Sequence, residues 1–145
     1  MPKNNSTKKN ILLLDTIGSK TTIGFFDGKK LRTKTLRKEL SHKLHSVIVK
    51  FLSDSDIRIS DLRSIGVLAG PGSFTGIRLG GVIANALAYA LDIPIYATDS
   101  LTTQGVANGT ATLPASHSEV YSAKFKNGKM VGKIELIPKV ETRHV

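Results

Sequence analysis

The chain has 145 residues and a formal net charge of +10, a length at which one ordinary domain is the default. It contains neither cysteine nor tryptophan, which excludes disulfides, thiolate nucleophiles and thiolate metal sites and fits a reducing, cytoplasmic setting. Its longest apolar stretch, 82–91, is broken by Asn85 and is too short to span a bilayer.

Residues 1–9 are polar and basic, with Lys3, Lys8 and Lys9 and no apolar run of signal-peptide length behind them; they read as a disordered leader. Residues 11–15 are a solid apolar run ending in Asp15, the pattern of a strand buried on both faces. Residues 21–26 are β-branched and aromatic, and Asp27-Gly28 signals a hairpin. A third strand over 30–35 completes an antiparallel meander. From 38 to 53 the apolar residues Leu40, Leu44, Val47, Ile48, Phe51 and Leu52 recur at three- and four-residue steps, which predicts a helix with one apolar stripe.

A polar connector over 54–61 leads to a buried-type strand at 63–69. A helix is predicted over 74–91, a short strand over 93–97, and a further short helix over 100–107 with Ser100 as its cap. Residues 119–126 and 129–138 read as a hairpin around Asn127-Gly128. The order β-β-β-α-β-α-β-α followed by a hairpin is an α/β layout.

Four groups of residues bear on chemistry. In the segment 70–76, Gly70, Gly72 and Gly76 allow close backbone approach, and Ser73 stands at a helix N-cap position. The segment reads either as a tight turn that seats a helix on the sheet or as a phosphate cradle; it lacks the lysine of a P-loop. Beyond it, Gly76, Gly80, Ala84 and Ala88 recur every four residues. Such a stripe lets another helix, internal or a partner's, approach closely.

Asp15 and Thr16 end the first strand, where α/β proteins place ligands. Asp15 is either a strand-end cap or, with Thr16, Gly18, Gly72 and Ser73, a nucleotide loop. His42 and His45 lie three apart without an apparent third ligand, which favours a surface or interface role over a metal. Finally, six of ten residues over 29–38 are basic: Lys29, Lys30, Arg32, Lys34, Arg37 and Lys38. They form either a solvated strand or an electrostatic footprint for RNA or an acidic partner. No aromatic residue is interleaved with them, so base stacking is not supported.

Residues 11–16 (Ile-Leu-Leu-Leu-Asp-Thr), 70–80 (Gly-Pro-Gly-Ser-Phe-Thr-Gly-Ile-Arg-Leu-Gly), 87–91 (Leu-Ala-Tyr-Ala-Leu), Ile93-Pro94 and Ser100-Leu101 resemble the TsaB (YeaZ) family in order and spacing. Glu119-Val120-Tyr121 is similar to the opening of that family's second domain. The resemblance implies an actin-like ATPase (ASKHA, ribonuclease H-like) fold with a mixed sheet over 10–109, and a truncated second-domain hairpin and tail over 110–145. It implies a non-catalytic subunit, without cofactor or metal, that supports TsaD in making threonylcarbamoyladenosine at position 37 of tRNA. TsaE is a further implied partner, tRNA is engaged through the complex, and a homodimer is an option when the partner is absent. The family's helical interface points to Leu40, Leu44, His45, Gly76, Gly80, Ala84 and Ala88. The family's Asp-Ala-Arg before Gly-Glu-Val-Tyr is absent here, where residues 114–118 read Pro-Ala-Ser-His-Ser. The alternatives are a minimal ATP-binding transferase or kinase using Asp15 and the 70–76 loop, and a basic tRNA-binding accessory protein.

Overall fold

The computed structural model describes residues 9–37 and 42–139. The leader up to Lys8, with Lys38 and Leu40 among the site residues, lies outside the described residues. The chain divides into two compact units, one of residues up to Ala69 with Ser73–Ala97, the other of Gly70–Gly72 with the residues from Thr98 onward.

The first unit is built on a mixed five-stranded sheet. Strands β1 (Ile11–Asp15), β2 (Lys20–Phe26) and β3 (Leu31–Arg37) form the expected meander. β4 (Ser64–Leu68) runs parallel to β1, and β5 (Ile95–Thr98) flanks it, giving the order β3-β2-β1-β4-β5. Alternation along the strands sends Leu12, Leu14, Ile23, Phe25 and Ile65 to one face. There they join Leu44, Ile48, Phe51 and Leu52 of helix α1 (Leu44–Ser53) and Ala84 of helix α2 (Phe74–Leu91) in one apolar core. Leu13 points to the other face and is 37% exposed, so β1 is covered on one side rather than on both.

Each element stops for a local reason. The β2–β3 turn closes on Asp27, whose Oδ1 accepts hydrogen bonds from the backbone N–H groups of Lys29 and Lys30, both at 2.8 Å. Helix α2 ends where Asp92 adopts a left-handed conformation and Pro94 follows.

The second unit departs from the sequence reading. The short helix expected over 100–107 is a single 3-10 turn, Thr102–Gln104. Only Leu101 and Val106 are apolar enough there to hold a helix down, and Gly105 breaks the turn at φ 69°. The expected hairpin is a three-stranded sheet, β6-β7-β8, because Gly109–Pro114 (β6) pairs antiparallel with Glu119–Lys126 (β7), itself paired with Lys129–Pro138 (β8). The turn-type pair Asn108-Gly109 and Pro114 masked β6, yet proline is tolerated at the end of an edge strand. Leu101, Ala111, Ala123 and Phe125 form its core.

Candidate functional site

Helix α2 is the element around which the sequence candidates gather, and its two faces have different surroundings. On one face Gly76, Gly80 and Ala84 are buried. A Cβ on Gly76 would collide with the backbone carbonyl of Thr16, and one on Gly80 would lie 2.6 Å from the Thr16 hydroxyl and 3.4 Å from Val67. The stripe of small residues is therefore the seat of α2 on the ends of β1 and β4. This corrects the expectation that Gly76, Gly80 and Ala84 face a partner. Ala88 is half-buried against the same core, and Leu44 is wholly buried within it. Of the proposed interface residues, His45 is exposed, its ring nitrogen 3.0 Å from the Ser46 hydroxyl.

The residues of the supposed nucleotide loop are used by the backbone. Asp15 Oδ1 accepts the Ile17 N–H at 3.2 Å. The buried Thr16 hydroxyl donates to the Gly76 carbonyl at 2.5 Å. Ser73 caps α2, its Oγ accepting the Gly76 N–H at 3.2 Å. Gly18 is exposed and a Cβ there meets only ordinary contact, while Gly72, at φ 153°, belongs with Gly70 and a cis Gly70–Pro71 bond to the second unit. His42 and His45 are both exposed on the first unit. Among the described residues no three His, Asp or Glu side chains are grouped as a metal site.

The opposite face of α2 is what the sequence reading missed. Phe74, Arg78, Val82, Asn85 and Tyr89 follow at steps of four, four, three and four, and all are exposed. Phe74 is 72% exposed, Val82 67% and Tyr89 93%. The Arg78 guanidinium lies over the Phe74 ring, 5.6 Å from its centre. By length and composition alone α2 could cross a membrane; the close fit of its glycines on Thr16 holds it in the sheet. Phe74, Val82 and Tyr89 fall at helical spacing opposite the small-residue stripe, and that is the signal by which the outer face could have been found. Large exposed aromatic and aliphatic groups rimmed by polar residues mark interaction surfaces.

A family model described as TsaD, tRNA N6-adenosine threonylcarbamoyltransferase, matches residues 34–135. The chain is 38% identical over 102 residues to the tRNA threonylcarbamoyladenosine biosynthesis protein TsaB of Bacillus subtilis, a match covering 64% of this chain and 44% of that one. To TsaB of Haemophilus influenzae it is 30% identical over 110 residues, 67% of this chain and 47% of the other. The chain thus spans about half the length of these curated relatives. Among solved structures it is similar to YeaZ from Pseudomonas aeruginosa, with a TM-score of 0.77 at 22% identity over 94% of this chain and 72% of that one. These likenesses make the fold the α/β actin-like ATPase (ASKHA) type.

Proposed function

The chain belongs to the TsaB (YeaZ) family, and from that membership we propose that it is a non-catalytic subunit in threonylcarbamoyladenosine biosynthesis on tRNA, supporting a TsaD-type transferase in the cytoplasm. The observation that carries this reading is the exposed face of α2, with Phe74, Val82 and Tyr89. Burying side chains of this size contributes about 1.5–3 kcal/mol each, and aromatic anchors dominate interface energetics. The partner docks on that face, and a second copy of this chain covers it when the partner is absent. Contact with a TsaE-type ATPase falls to the same assembly.

The test is a mass measurement of the chain alone and mixed with a TsaD-type protein from the same source. A stoichiometric complex at micromolar concentration supports the proposal, and its absence overturns it. Magnesium-dependent ATP binding by the isolated chain, abolished by Asp15→Ala, would instead favour nucleotide chemistry of its own.

A further inference from the structure

The β2–β3 hairpin carries an arrangement of charge that the docking role of α2 does not use. Lys20 and Arg37 stand directly opposite each other across the two strands. Side chains so paired have Cβ atoms about 5 Å apart, and like charges in that position destabilise a sheet. Both are exposed. Arg32 and Lys34, which pair with Phe25 and Ile23, stand two residues and about 7 Å apart on the opposite face of the ribbon. Lys29 and Lys30 sit on the turn.

The sole acid of the hairpin is already employed. Asp27 accepts two backbone N–H groups of its own turn and lies 3.8 Å from Arg32. Those backbone hydrogen bonds, from Lys30 and Lys29, together with the Arg32 charge hold its carboxyl below the usual range. Among the described residues no carboxylate is within ion-pairing distance of Lys20, Lys29, Lys30, Lys34 or Arg37. β3 is moreover the edge of its sheet, with no strand paired beyond it among the described residues.

We propose that the β2–β3 hairpin is an RNA-binding edge, with Lys20 and Arg37 clamping one backbone phosphate between them on one face of the edge strand, and Lys29 and Lys30 at the turn and Lys34 from the other face holding its neighbours. A phosphate placed between the facing cations turns their mutual repulsion into two attractions. Phe25 is buried in the core and Phe26 is half-buried, so the hairpin offers no fully exposed ring for stacking. The contacts are to the backbone, and they position RNA without reading its sequence. This inference rests on the reading of the chain as part of a tRNA-modifying assembly and adds a direct contact with the RNA to it.

The experiment titrates the full chain into a fluorescent, unmodified tRNA transcript between about 50 and 200 mM salt. With about four phosphates engaged, log affinity should fall against log salt with a slope of about −3. Lys20→Gln with Arg37→Gln should reduce that slope by about one, for the single phosphate contact removed, and weaken binding at least tenfold. The double variant relieves a repulsion, so it should melt no lower than the parent, which separates lost binding from lost folding. It should also retain its complex with the TsaD-type partner, so failure here is distinct from failure of the docking reading. An unchanged slope overturns the proposal. So does an equal loss from Lys129→Gln with Lys133→Gln in the second unit, or loss of the protein partner with RNA binding intact, which would mark an acidic protein as the occupant.

Discussion

The hydroxyl of Thr16 donates to the carbonyl of Gly76, sixty residues along the chain, at 2.5 Å. This bond ties the end of β1 to the first turn of α2 at a point where the two backbones nearly touch. Three glycines of that helix stand at different distances from the tie, and their alanine variants should separate accordingly. At Gly76 the added Cβ meets the rigid backbone of Thr16 and Ile17, so Gly76→Ala should prevent folding or cost more than about 3 kcal/mol. At Gly80 it meets the Thr16 hydroxyl at 2.6 Å, a side-chain group that can turn. Relief of the helical glycine penalty, about 1 kcal/mol, offsets part of the cost. At Gly81 nothing lies within 4 Å, and Gly81→Ala should stabilise by up to about 1 kcal/mol. Urea unfolding midpoints test the order Gly81→Ala, parent, Gly80→Ala, Gly76→Ala; any other ranking contradicts the internal seat of the stripe.

Thr16→Val keeps the shape of the side chain and removes its donor. The Gly76 carbonyl keeps its helical N–H partner, so the loss is that of one net hydrogen bond, about 0.5–1.5 kcal/mol, and the variant should unfold earlier in urea by that amount with an unchanged slope. Thr16→Ser, which restores the hydroxyl, should recover most of the loss. If valine were as stable as threonine, the bond would contribute nothing to the tie.

Acid should loosen the second unit through Asp99. Burial pushes this carboxyl's pKa up, but hydrogen bonds from the Thr102 hydroxyl and from the Thr102 and Leu101 backbone outweigh that and hold it below the ordinary 3.8. A pKa depressed by folding gives stability that is complete above 3.8 and disappears as pH falls through the folded value. Asp99→Asn should therefore lower stability at neutral pH and flatten its decline in acid. Asp27 and Asp61 are shifted the same way, by the Lys30 and Lys29 backbone and by the Arg58 side chain respectively, so the curve should flatten without becoming level. Equal pH slopes in parent and variant would assign the acid limb to other groups.

What the sequence revealed, and what it hid, divides along physical lines. The meander and α2 were legible because each carries a strong local signal: alternation and a turn at Asp27-Gly28, and a capped apolar run from Ser73. The helix over 100–107 was not, since a capping residue announces a start whether or not an apolar stripe follows to hold it. Strand β6 stayed hidden because its pairing with β7 is a tertiary fact and its own residues, from Gly109 to Pro114, read as punctuation. The face assignment on α2 failed for a related reason. Small residues at a four-residue step announce a close approach, but not what approaches. Thr16 could be recognised as the neighbour of Gly76 and Gly80 only once β1 was placed beside β4.

That reversal of faces yields a prediction opposite in kind for the two sides of α2. A bulky change on the inner face, such as Gly80→Leu or Ala84→Leu, should unfold the chain, because Gly80 and Ala84 are buried on the sheet. Val82→Asp and Tyr89→Asp alter side chains 67% and 93% exposed and touch no core contact, so the monomer should keep its circular dichroism and melt within about 0.5 kcal/mol of the parent. Each should nonetheless weaken association with the TsaD-type partner at least tenfold, because a carboxylate placed in an apolar interface must be stripped of water without a counter-charge. Arg78→Ala should weaken it less, since Arg78 lies over Phe74 and the ring remains. Titration calorimetry on the folded variants reads these differences directly. Undiminished binding by both aspartate variants would remove the outer face of α2 from the interface and leave the α1 surface around His45 to carry it.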